Sequence, residues 1–168
     1  MTHAELVKRA AVWLRRKHAV IITEMAHGAG EEADAIGWTG YGASTLVECK
    51  ATRTDFIADG KKLFRKVPRM GMGRWRYFMT PPGLLSESEL PESWGLIEAH
   101  KNRFRIVVKA VEFREYARHW ELQLMVSALR RPDGLCVKRY TYENKGRATI
   151  GCAAENSTGA GSVPVVGE

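Results

Sequence analysis

Two runs of strand-forming composition, EADAIGW at residues 32–38 and STLVECK at residues 44–50, flank the glycine-rich loop TGYGA at Thr39–Ala43. That arrangement reads as a β-hairpin. If the hairpin is symmetric about Tyr41, Asp34 stands directly opposite Glu48, because the two are equally far from Tyr41 along the chain. Directly opposed residues of an antiparallel pair bring their Cβ atoms to roughly 4.5–5.5 Å. Two carboxylates at that range repel, and a cation between them removes the repulsion. The two-residue period of a strand sets Glu48 and Lys50 on one face and sends Thr45, Val47 and Cys49 to the other, toward a core.

One hairpin is thus expected to deliver two carboxylates and an ammonium to one place. Oxygen donors of this kind suit Mg²⁺ or Mn²⁺. A carboxylate-held divalent ion activates water and stabilises charge on phosphoryl oxygens, which is what phosphodiester hydrolysis demands. A neighbouring lysine can orient the water or neutralise the developing charge. The plainer alternative is a chance D…ExK triplet, with Glu48 and Lys50 on a solvated strand face.

The remaining elements build an α/β domain. Thr2 to about Lys17 reads as a helix with the apolar stripe Leu6, Val7, Ala10, Ala11, Trp13 and Leu14, opened by a Thr2–Glu5 capping box. Residues 18–25 read as a strand, followed by a turn at His27–Gly30. A helix is expected over 55–67, strands over 74–79, 94–98 and 104–108, and a long amphipathic helix over 111–131. This order predicts a central mixed sheet flanked by helices. Residues 1–134 are read as one domain, 135–150 as an ambiguous extension and 151–168 as a disordered tail.

The chain has 168 residues and a formal net charge of +7, a balance that favours a polyanionic partner. Lys61, Lys62, Arg65, Lys66, Arg69, Arg74 and Arg76 follow one another with no intervening acid. Lys62, Arg65, Lys66 and Arg69 would share one face if the helix ran that far. Such a stripe suits phosphate contacts, with a solvated basic helix as the alternative. Trp75 and Tyr77 could stack on bases, although strand aromatics more often belong to a core. Three scattered cysteines with no CxxC pair fit reduced thiols in a cytoplasm. No apolar run reaches membrane-spanning length, and the histidines show no metal-ligand spacing. No G-x-S-x-G, P-loop or G-x-G-x-x-G element occurs.

Several segments, taken in order, resemble the PD-(D/E)xK nuclease superfamily, and within it the MmcB-type DNA-repair proteins of bacteria. Thr23-Glu24 followed by Gly30-Glu31-Glu32-Ala33-Asp34 is similar to that group's strand glutamate and glycine-to-aspartate stretch. Leu46-Val47-Glu48-Cys49-Lys50 is similar to its central strand, and Asp55-Phe56 with Asp59 to the helix after it. Tyr77-Phe78 with Pro81, and Pro91-Glu92 with Gly95-Leu96-Ile97, are similar to its later strands. Ala33 departs from the proline of the superfamily's name, and Glu31 and Glu32 stand where the close relatives tend to be basic. Gly60 alters the aspartate–lysine spacing, and nothing beyond about residue 132 has a counterpart.

The resemblance implies a restriction-endonuclease-like core and metal-dependent hydrolysis of DNA, in repair or in phage and genome processing. Asp34 and Glu48 would hold Mg²⁺ or Mn²⁺, with Glu24 as a supporting acid, and Lys50 would be catalytic. Glu5 is a possible extra acid, because many nucleases of this fold bring a first-helix glutamate to the metal; its capping box accounts for it otherwise. Glu32 is read as a salt-bridge partner for Lys50. The expected partner is DNA, with RNA and a homodimer left open. The competing readings are a non-catalytic nucleic-acid-binding module and an interaction protein on the same fold.

Overall fold

The computed structural model of the chain describes residues 1–25 and 31–130 and, beyond them, the backbone of two short strands. Its centre is a six-stranded mixed sheet with helices on both faces. The chain opens with α1 (His3–Leu14), and Thr2 caps it through the reciprocal bonds with Glu5 that the sequence predicts. There follow β1 (Val20–Thr23), β2 (Ala35–Trp38) and β3 (Ser44–Cys49), then α2 (Arg53–Asp59) and α3 (Leu63–Lys66). The chain continues through β4 (Trp75–Thr80), β5 (Gly95–Ala99), β6 (Phe104–Val108) and α4 (Arg118–Arg130).

The strands lie in chain order. The pairs β1–β2, β2–β3 and β5–β6 are antiparallel, whereas β3–β4 and β4–β5 are parallel. A parallel neighbour needs a crossover, and α2 and α3 occupy the first of them. In the β2–β3 register Ala35 faces Val47 and Ile36 faces Leu46. This is the pairing symmetric about Tyr41, and one further step along it sets Asp34 opposite Glu48.

The sheet buries both faces. On one, Leu6, Val7, Ala10 and Leu14 of α1 pack on Ala35, Val47, Cys49, Met79 and Ile97. On the other, Ile22, Ile36, Leu46, Phe78 and Leu96 meet Met72, Trp94 and Leu124 and Ala128 of α4. Glu48 and Lys50 share this second face with Leu46, so the site is anchored in the larger core.

Two helices differ from the expectation. The helix predicted over 55–67 is broken: Gly60 caps α2, and Lys62 turns extended at φ −65°, ψ 142° before α3 begins. Glycine is a poor helix residue, and the turn brings Arg65 back to the Asp59 carboxylate. The helix predicted over 111–131 starts only at Arg118. Before it, the Val111, Phe113 and Ala117 amides donate to the Ser93, Arg74 and Gly71 carbonyls, so they are spent on long-range contacts instead of a helical ladder.

Past Arg130, Arg139–Thr141 (β7) pairs antiparallel with Thr149–Gly151 (β8). Otherwise the predicted extension and tail, like the predicted turn at His27–Gly30, lie outside the described residues. Among the described residues no helix is long and apolar enough to cross a membrane.

Candidate active site

The site sits where β3 ends. Glu48 is 1% exposed, and its Oε2 lies 3.1 Å from Lys50 Nζ and 3.2 Å from the Arg65 guanidinium. Its Oε1 is buried and has no hydrogen-bond partner among the described residues. An unpaired buried acceptor costs on the order of 1–3 kcal/mol, which a ligand on this oxygen would offset. Asp34 Oδ2 accepts from the Cys49 amide at 2.7 Å, which fixes its carboxylate against the end of β3. Asp34 Oδ1 lies 3.5 Å from His3 Nε2. The same imidazole is 3.7 Å from Glu24, whose side chain is half exposed. Glu24 adopts φ +46°, a left-handed conformation that costs a non-glycine residue roughly 1–2 kcal/mol. That strain sits beside the acidic group, as strained backbone often does at functional positions.

Behind Glu48 lies a closed ionic network. Lys50 Nζ is also 3.1 Å from Asp59 Oδ1, and the half-exposed Lys62 reaches the same oxygen at 2.9 Å. Arg65, its side chain 2% exposed, bridges Glu31 at 2.9 Å, Glu48 and Asp59. Glu31 is fully buried and also accepts from the Met72 amide. Lys50 is therefore held on two sides, with Glu48 in front and Asp59 behind.

The protonation states follow from these contacts. Burial, with Glu48 beside it, pushes the Asp34 carboxyl up to about 6. Burial works against the Lys50 charge, but Glu48, Asp59 and Asp34 outweigh it and raise its pKa. Lys50 is thus a proton-bearing cation near neutrality and cannot act as a base. Burial would raise Asp59, yet Arg65, Lys50 and Lys62 together hold it down at about 2. Burial and the surrounding carboxylates push the Cys49 thiol well up, which leaves it an inert core group.

Asp34 carries a testable consequence. Its folded pKa lies above the unfolded value of 3.8, so the folded chain binds the extra proton between those limits. Its contribution to stability is then full below about pH 4 and lost as pH rises through about 6. Asp34→Asn keeps an acceptor for the Cys49 amide and removes the charge. It is expected to raise the melting temperature above pH 6 and to flatten the slope between pH 4 and 6. Identical melting curves for both proteins across that range would contradict the raised pKa of Asp34, which burial and then Glu48 produce.

The predicted site residues divide. Asp34, Glu48 and Lys50 come together, and Glu24 joins them at the rim. Of the basic stretch, Lys61, Lys62, Lys66 and Arg69 are exposed. Arg65 and Arg76 are corrections to the expected phosphate contacts. Arg65 is enclosed by three carboxylates, as above. Arg76 is fully buried, donates to the Pro68, Gly71 and Gly73 carbonyls, and stacks 4.0 Å from the Phe113 ring. Burial lowers its pKa to about 10, so it remains charged. Arg74 is partly spent, bonding Glu112 at 2.6 Å.

Glu5 is also a correction. Its carboxylate closes the helix cap at 2.7 Å from the Thr2 amide, and His3 is the α1 residue that reaches Asp34 instead. Glu32 is exposed and does not pair with Lys50, because its neighbour Glu31 is the one turned inward. His27 lies outside the described residues. Sequence reasoning missed His3, Glu31 and Asp59 as parts of the site. Asp59 falls in the helix matched by the resemblance, and Glu31 was visible as a departure from the relatives' basic residue. His3 left no signal.

A divalent ion fits the Asp34–Glu48 pair chemically, since one carboxylate oxygen is orphaned and the other carboxyl is strained by like charge. Among the described residues no three His, Cys, Asp or Glu side chains stand ready to hold a metal. Two protein carboxylates, completed by water and a phosphate oxygen, are the manner in which Mg²⁺ is usually held.

Compared with models of protein families and with curated proteins, the chain matches none. Among solved structures it is similar to a protein of unknown function from Silicibacter pomeroyi, with a TM-score of 0.58 and 22% identity over 77% of this chain and 88% of that one. At that identity the likeness is one of fold.

Proposed function

We propose that this chain is a divalent-metal-dependent nuclease that hydrolyses phosphodiester bonds in DNA, on a restriction-endonuclease-like core. The observation that carries the reading is the Glu48 carboxylate, buried to 1% exposure, with one oxygen bonded to Lys50 and Arg65 and the other without a partner among the described residues, on the strand register that sets Asp34 opposite it. A buried acceptor without a partner calls for an explanation, and a cation shared with Asp34 supplies one here. The order of elements adds support. The segments that resemble the superfamily's central strand, following helix and later strands fall on β3, α2, β4 and β5.

In this reading Asp34 and Glu48 would hold Mg²⁺ or Mn²⁺, which would supply Lewis acidity and positive charge for the phosphoryl oxygens. Lys50 donates hydrogen bonds toward the attacked phosphate and neutralises its developing charge. Asp59 keeps Lys50 charged and aimed, and Arg65 holds Glu48 Oε2 so that Oε1 stays free. Glu24 and His3 line the open side and orient water. Lys61, Lys66 and Arg69 provide the exposed charge that would hold a phosphate backbone, while Lys62 is partly spent on Asp59. A role in repair or genome processing is the setting that the resemblance supports.

The test is calorimetric titration of Mn²⁺ into wild type, Asp34→Asn and Glu48→Gln at pH 7.5, followed by cleavage of labelled DNA and RNA. One site per chain, weakened about a hundredfold in each variant, is expected. Binding unchanged by both substitutions would remove the metal centre from this hairpin. Salt-sensitive DNA binding with no metal-dependent cutting would favour the non-catalytic module instead.

A further inference from the structure

The face of β4 opposite Arg76 and Phe78 carries a second feature. Trp75 lies beside Thr45, and Tyr77 beside Val47. Beyond the end of α1 these residues border a cavity of about 540 Å³, lined by the rings of Trp13, Trp75 and Tyr77 and by Arg16, Lys17 and Lys109. That volume lies within the range of small-molecule sites, roughly 300–1,000 Å³.

The lining has a definite chemistry. Trp13 and Tyr77 meet edge to face with centroids 5.3 Å apart, which fixes both rings. Tyr77 lies flat on Gly95, where a Cβ would come within 2.3 Å of the ring, so the missing side chain sets the ring's position. His18 also borders the cavity and is locked, with Nδ1 2.9 Å from the Leu14 carbonyl and Nε2 2.9 Å from Thr45 Oγ1. Burial keeps His18 on the neutral side. Among the described residues no acid lines the cavity, and its three cations are exposed at the rim. Half-buried aromatic rings beside clustered cations suit a flat ring joined to an anionic group, the ring stacking and the anion meeting the cations.

We infer that this cavity binds a mononucleotide unit, its base against the Trp13, Trp75 and Tyr77 rings and its phosphate toward Arg16, Lys17 and Lys109. The unit is supplied either as a free nucleotide or as one residue of a single strand. The inference does not rest on the nuclease reading, because Glu48 and Lys50 face the other side of the sheet and no metal is involved.

The experiment is tryptophan fluorescence quenching of the full chain in EDTA, which takes the metal centre out of play. The probes are nucleoside 5′-monophosphates, the same nucleosides without phosphate, inorganic phosphate and a short single-stranded oligonucleotide. Saturable quenching by the monophosphates is expected, with nucleosides and inorganic phosphate each at least about tenfold weaker. Arg16→Glu and Lys109→Glu, both surface changes that leave the core intact, are expected to weaken binding about tenfold each. An oligonucleotide that binds much more tightly than the monophosphate identifies a strand as the source, and equal affinity identifies the free nucleotide. The inference is overturned if neither the monophosphates nor the oligonucleotide quench up to about 1 mM, or if both charge reversals leave affinity unchanged.

Discussion

Arg65→Ala is expected to be the most destabilising single substitution in the described part of the chain, at about 3–5 kcal/mol. The guanidinium is 2% exposed and holds Glu31, Glu48 and Asp59 together. Removing it leaves three carboxylates facing one another in a core, with Lys50 and Lys62 on Glu48 and Asp59 and only the more distant Arg76 acting on Glu31. It also strips the cation from above the Phe64 and Trp94 rings, 4.8 and 4.5 Å away. A domain of this size has about 5–15 kcal/mol in total, so the variant should unfold at far lower urea than wild type. Arg65→Lys keeps the charge but lacks the planar fork, and it should recover only part of the loss. Pairing Arg65→Met with Glu31→Gln should restore some stability, because the two sites share one network. A loss below about 1 kcal/mol for Arg65→Ala would mean that the network is solvated in the working protein.

The second large effect concerns Lys50. Lys50→Met is expected to lower metal-dependent cleavage about 10²–10³-fold, the usual loss when a group that stabilises transition-state charge is deleted. The stem of methionine fills much the same space, so the fold should persist, with a stability loss from leaving Glu48 and Asp59 less well neutralised. Mn²⁺ binding should survive, because Lys50 is not a ligand, and that separates its role from Glu48. If Lys50→Met cut as well as wild type, the lysine would be a structural counter-ion only.

Much of the hairpin was legible in the sequence. Its loop carries two glycines, its arms have matching length, and the two-residue period alone assigns Glu48 and Lys50 to one face and Val47 and Cys49 to the other. The cap of α1 was equally local, because Thr2 and Glu5 satisfy each other within one turn. Arg65 was not legible. Its charge suggested a surface, and its burial depends on Glu31 and on the break at Gly60, both set by tertiary contacts. Arg76 could have been found. It shares strand parity with the core residue Phe78, so the period that placed Glu48 also turns Arg76 inward. The segment before α4 failed for a third reason: its amides bond to distant carbonyls that no local pattern reveals.

The measurement that tests the central claim most directly is cleavage of labelled duplex, single-stranded, flapped and branched DNA, with RNA alongside. It is run in Mg²⁺, in Mn²⁺ and in EDTA, for wild type, Glu48→Gln and Lys50→Met. The account predicts cutting of at least one substrate by wild type in metal only, and its loss in both variants while their folds persist. Wild type that binds these substrates but cuts none of them in either metal, or variants that cut as fast as wild type, would contradict it.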